Sequence, residues 1–184
     1  MKKVFILTGV VFLFATAAFA QKATDFSGTW TLDVSKSKLD ERARIESMTL
    51  TVAQTDKDVK VDSKTTRAPR PEGEQPRMGG GGGMGRGGGF GGGDSSMTYS
   101  LDGKESKVTQ ESQMGSVPVT LAGKLNGEKL SLSSTRVFNG PMGEVTLTTK
   151  ENWTLSDGGK TLTVAREQTT PRGTTSSTLV FEKK

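Results

Sequence analysis

From residue 97 onward, apolar and polar residues alternate in short runs separated by turn signals: Asp102-Gly103, Asn126-Gly127, Asn139-Gly140, Asp157-Gly158 and Pro171-Arg172-Gly173. Asn-Gly and Asp-Gly supply the positive φ angles that tight two-residue loops require, so each predicts an antiparallel hairpin. Alternation with period two sends one set of side chains to a buried face and the other to water. The runs are Met97–Leu101, Lys104–Gln110, Val117–Leu121, Leu130–Phe138, Val145–Leu155, a strand opening on Leu162 and Val164, and Thr174–Phe181. Pro118 has no N–H for a ladder, so it belongs near a strand start or at an edge-like position.

Upstream the same pattern holds with one interruption. Phe26–Val34 places Trp30, Leu32 and Val34 on one face. Residues 35–46 lose the alternation, and Leu39–Ile45 predicts one or two helical turns or a structured loop. Met48, Leu50 and Val52 point inward from the next run, and Val59 and Val61 from the one after. A meander of about 8–10 short strands predicts an all-β, antiparallel up-and-down barrel, because closure removes the edges an open sheet would expose. A β-sandwich is the alternative, although its Greek keys usually need longer crossovers than these turns provide.

Composition adds boundaries. Lys2 and Lys3, the apolar run from Val4 to Phe14, and Ala18-Phe19-Ala20 predict a Sec-type signal peptide over residues 1–20. The expected mature chain, 21–184, is a single domain without a membrane span, secreted to the periplasm or the extracellular space. Its outward Thr, Lys, Asn and Glu residues exclude an outer-membrane barrel, whose lipid-facing side must be apolar. Residues 67–95 are rich in Pro and Gly, with twelve glycines in the fifteen positions 79–93. Glycine at that density predicts a flexible loop within the domain. The formal net charge of +5 is mild, and two of those charges lie in Lys2 and Lys3, so no nucleic-acid footprint is expected.

The absence of every His and Cys removes imidazole bases, thiolates and His-based metal sites. Disulfides are excluded with them. The Ser35–Lys38 match to a Ser-x-x-Lys pattern lacks the helix and companion motifs that acyl transfer needs. Asp56, Asp58 and Asp62 lack the Gly and Glu of a calcium loop. The reading is a protein that is not an enzyme and carries no cofactor or metal.

Phe26-Ser27-Gly28-Thr29-Trp30 followed by Ser35-Lys36-Ser37-Lys38 resembles the opening of exported bacterial lipocalin-like proteins, and Gly28-Thr29-Trp30 is similar to the Gly-x-Trp signature of lipocalins. The resemblance implies a calycin-type barrel with a cavity for small hydrophobic molecules. It also implies that Trp30 crosses the closed end under an Arg from a late strand, for which Arg166 is the candidate. The chain departs from classical lipocalins in ending on a strand. It departs from fatty-acid-binding barrels in lacking a two-helix lid, unless residues 35–46 replace it.

Polar residues in phase with apolar faces are the candidate chemistry. Arg136 follows Leu130, Leu132 and Ser134; Glu151 lies between Thr149 and Trp153; Arg166 follows Leu162 and Val164. Buried charges must pair, reach a rim or bind something. Arg136, Glu151 and Arg166 therefore form either a structural ion cluster at a barrel end or the anchor for a ligand's carboxylate. Trp30, Tyr99, Arg136, Glu151, Trp153 and Arg166 are the candidate ligand-binding residues. The expected function is non-catalytic binding or transport of a small hydrophobic or amphipathic ligand. The alternative is a structural or interaction module of the cell envelope, its core packed and its assembly mediated by the Gly-rich loop. Interior volume separates them, since a ligand site wants about 300 Å³ or more.

Overall fold

The computed structural model describes residues 23–40, 43–69, 94–112, 115–140 and 143–184. The signal-peptide reading of residues 1–20 and the body of the Gly-rich loop lie outside the described residues. Ten strands form one antiparallel sheet: β1 (Gly28–Leu32), β2 (Ile45–Gln54), β3 (Asp58–Arg67), β4 (Ser95–Ser100), β5 (Ser106–Ser112), β6 (Gly115–Asn126), β7 (Lys129–Gly140), β8 (Gly143–Ser156), β9 (Thr161–Thr170) and β10 (Gly173–Lys183). Their spatial order is β4-β3-β2-β1-β10-β9-β8-β7-β6-β5. Pairing of β1 with β10, through Trp30↔Lys183 and Leu32↔Phe181, joins the two ends of the chain. The sheet curls into an up-and-down barrel with one unsealed seam, between β4 and β5.

The seam corrects one expectation. Asp102-Gly103 does supply a positive φ, 79° at Gly103, yet β4 and β5 do not pair. The Asp102 carboxylate accepts the Lys104 N–H at 2.9 Å and the Ser100 hydroxyl at 3.1 Å, which turns the chain locally. The turn then leans on β6: the Gly103 N–H donates to the Gly123 carbonyl at 2.9 Å, and Asp102 bridges Lys124. Gly123 makes this approach physically available. A Cβ there would stand 2.8 Å from the Ser100 carbonyl oxygen and 2.9 Å from the Tyr99 Cβ. The foot of β4 thus packs directly on β6, and β5 is left paired on one side only. By contrast, the hairpins at Asn126-Gly127 and Asp157-Gly158 form as expected, with φ of 57° at Gly127 and 53° and 66° at the second pair.

Two smaller corrections concern the first strand and the segment after it. Val34 is exposed, not inward, because β1 ends at Leu32 and Asp33 nucleates a turn. Its carboxylate accepts the N–H groups of Ser35 and Lys36, so the alternation stops two residues early. Among the described residues, 35–46 hold no α-helix and supply no helical lid; Lys38 instead bridges Thr178 on β10. Pro118 sits where expected. It pairs with Thr109 of β5, while the ladder to β7 begins one residue later at Val119.

Inward Val, Leu, Met and aromatic side chains fill the barrel. Trp30 and Trp153 are fully buried, and the Trp30 indole N–H donates to the Phe26 carbonyl at 3.0 Å. The Phe26 ring meets Trp153 edge-on, with centroids 6.3 Å apart. Replacing Gly123 with Ala should force β4 off β6 and destabilise the barrel by about 1–3 kcal/mol, the cost of overpacking a closed core. Urea denaturation followed by tryptophan fluorescence measures this, and an unchanged midpoint would show that the contact contributes nothing.

Candidate functional site

The strands that fill the core with apolar residues carry polar ones further along the same inner face. Register places Arg136 opposite Leu147, Ser134 opposite Thr149, and Leu132 opposite Glu151. Glu151 in turn faces Arg166, and Trp153 faces Val164. The result is a polar belt of Ser134, Arg136, Thr149, Glu151 and Arg166, joined from β4 by Tyr99.

Glu151 is fully committed. Its Oε1 accepts from Arg166 Nε at 2.6 Å and its Oε2 accepts from Trp153 Nε1 at 2.9 Å. Both partners lie in low-dielectric surroundings, where a charge-assisted bond is strong and an unpaired charge costly. A carboxylate with both oxygens engaged in this way holds its neighbours in place.

Arg136 has no such partner. It is 9 % exposed, and among the described residues its Nε has no hydrogen-bond acceptor. Among the described residues its Nη2 meets the thioether of Met97, at 3.9 Å. Thioether sulfur is a weak acceptor. Burial lowers the Arg136 pKa, opposed by its interaction with Tyr99, yet a guanidinium remains charged across the accessible pH range. Met97 also accepts the Tyr99 hydroxyl at 3.2 Å. Burial, reinforced by the charge on Glu151, raises the Tyr99 pKa and keeps the phenol neutral. Tyr99, Leu132, Ser133, Ser134, Thr149 and Glu151 surround a gap beside these groups that is too narrow to admit a water molecule.

Of the candidate residues, Tyr99, Arg136, Glu151 and Arg166 meet in the belt, and Trp153 joins them through Glu151. Trp30 does not; its indole N–H bonds to the Phe26 carbonyl. The three-charge cluster resolves into one bonded pair, Glu151–Arg166, and a separate Arg136 facing Met97. Nor does Arg166 cover Trp30. That position belongs to Lys183, whose Nζ sits 5.1 Å from the ring centroid in cation–π geometry. Register decides between the two cations, since Trp30 pairs with Lys183 whereas Arg166 pairs with Glu151. Alternation marks Met97 only as an apolar inward residue, and nothing in its own strand signals that it is the partner of two polar groups.

Among the described residues no cluster of Asp and Glu is arranged to hold a metal ion. No family model and no curated protein sequence matches the chain. The fold is similar to the zebrafish ileal bile acid-binding protein complexed with cholic acid, at 14 % identity and a TM-score of 0.47, covering 86 % of this chain and 98 % of that one. It is also similar to the fatty-acid-binding protein of Manduca sexta, at 12 % identity and a TM-score of 0.41, covering 86 % and 99 %. The strand order itself is that of an antiparallel up-and-down barrel. Secretion to the periplasm or the extracellular space, the expectation from the first twenty residues, is not upheld: neither similar structure is described as an exported protein, and those twenty residues lie outside the described ones.

Removing the Glu151 carboxylate takes the ionic partner from a buried guanidinium. Glu151→Ala should cost about 3–5 kcal/mol, and the double replacement Glu151→Leu with Arg166→Met should recover most of that loss. Denaturant titration of the parent and both variants checks this. A single variant as stable as the parent would show that the pair holds nothing together.

Proposed function

We propose that this barrel is a non-catalytic binding protein for a small, mostly apolar molecule carrying one anionic group, and that the anion pairs with Arg136. Among lipocalin-like barrels we place it with the bacterial kind whose opening segment it resembles. The observation that carries the reading is the buried Arg136 guanidinium, whose Nε lacks an acceptor. Leaving a charged donor unsatisfied in a core is costly, and a ligand carboxylate would supply the missing acceptor in bidentate geometry. Around it stand Val119, Leu121, Leu132 and Met97, an apolar setting for the rest of the molecule. Glu151 and Arg166 act by fixing Trp153 and the belt, and Tyr99 offers a neutral hydroxyl beside the anion.

One observation favours the alternative of a structural module with a packed core. The gap at the belt holds no room for even a water molecule, whereas an ordinary small-molecule site offers roughly 300 Å³. A ligand therefore enters by displacing side chains, and Met97 is the unbranched, adaptable one in its path.

Titration with 1-anilinonaphthalene-8-sulfonate and with dodecanoate, followed by fluorescence and calorimetry, separates the two readings. Binding should saturate at one molecule per barrel. Arg136→Met should weaken it about 10- to 100-fold, the worth of a charge-assisted hydrogen bond, and neutral dodecanol should bind the parent and the variant alike. A stable, folded protein that binds neither probe would favour the packed module.

A further inference from the structure

The seam and the orphan guanidinium lie on one line. Val108 of β5 is paired with Val119 of β6, and Val119 is paired with Arg136 of β7. Residues directly opposite in an antiparallel ladder share a face, so all three point to the barrel interior. Burial along this row changes steeply. Val119 is 1 % exposed and Arg136 9 %, yet Val108 is 42 % exposed although it occupies an inward position. The reason is topological, since β5 has no hydrogen-bonded neighbour beyond it. Val108 is the lip of the seam.

The opposite lip is β4, and it too leads to Arg136. Met97 on that strand places its Sδ 3.9 Å from Arg136 Nη2. Neighbouring strands lie about 4.8 Å apart, so the step from Val108 to Arg136 spans about 10 Å. The far ends of β4 and β6 differ from this region. There Gly123 lets the two strands touch, and the seam is shut by the Ser100 carbonyl and Tyr99. Around Trp30 the barrel is filled as well, Phe26 accepting from its indole and Lys183 lying over its ring.

We propose that the β4–β5 seam is the entrance through which an apolar anion reaches Arg136, with Val108 as its outer lip. This rests on the binding function proposed above. A monoanion with a narrow apolar body crosses the two valines and meets the guanidinium, displacing the Met97 thioether as its neighbour. The buried positive charge draws the anion in, and the half-exposed valine gives its apolar part a surface to slide over. Entry through the end of the barrel opposite Trp30 is the competing path.

Charge at the lip tests the entrance. Stopped-flow mixing with 1-anilinonaphthalene-8-sulfonate should show Val108→Glu slowing association at least about threefold and Val108→Lys accelerating it, both effects shrinking in high salt. Thr109→Glu and Thr109→Lys carry the same charge changes one residue along, on the outward face of β5. They should leave the rate near that of the parent. Circular dichroism confirms that all four variants fold. If the Val108 and Thr109 variants behave alike while the probe still binds in an Arg136-dependent manner, the seam is not the entrance and the binding function stands. If the parent does not bind the probe at all, the entrance and the function fall together.

Discussion

Three ionisable side chains sit in the inward phase of adjacent strands, and the barrel is arranged around what becomes of their charges. Arg136, Glu151 and Arg166 share the inward phase of β7, β8 and β9 with buried apolar residues, so strand geometry alone commits them to the interior. Water is largely excluded there, and each charge must find compensation among its neighbours. Glu151 and Arg166 find it in each other, and the pair also orients Trp153. Among the described residues Arg136 meets the Met97 sulfur through Nη2, and its Nε has no acceptor. An interior that satisfies two charges and leaves the third with a poor partner is what motivates the proposal of an anionic ligand.

Topology places that third charge where something can reach it. The pairing of β1 with β10 joins the chain ends, so the unavoidable break in the sheet falls between two sequence neighbours, β4 and β5. Gly123 narrows the break at one end by admitting the β4 backbone against β6. At the other end β5 stands clear, and the inward valine it carries stays half in water. Around Trp30 and Trp153 the interior is filled by aromatic packing and by a lysine over an indole. Access and anchor therefore belong to the same side of the molecule.

Most strands are legible in the sequence because their determinants are local. Period-two alternation and Asn-Gly or Asp-Gly turns act within a few residues, and the ladders on either side of Asn126-Gly127 and Asp157-Gly158 obey them directly. Asp102-Gly103 misleads because a turn dipeptide sets backbone angles without setting strand pairing. The course of the chain after that turn depends on Gly123, a close approach visible only once β6 is in place. Val34 misleads for a local reason, since Asp33 captures the next two amides and ends the strand. The inward phase of Arg136, Glu151 and Arg166 can be read from alternation, but their partners cannot. Pairing Arg166 with Glu151, or Lys183 with Trp30, requires the cross-strand register, and Met97 comes to Arg136 from the far side of the seam.

Binding and entry alike depend on the unfilled Arg136 Nε–H. Nitrogen-15 NMR of the arginine side chains observes that group by name, with Arg166 as an internal reference already bonded to Glu151. On titration with dodecanoate, the Arg136 Nε–H resonance should move downfield to a hydrogen-bonded position while that of Arg166 stays where it is. A bound amphiphile that leaves the Arg136 resonance unmoved would contradict the assignment of this guanidinium as the anchor.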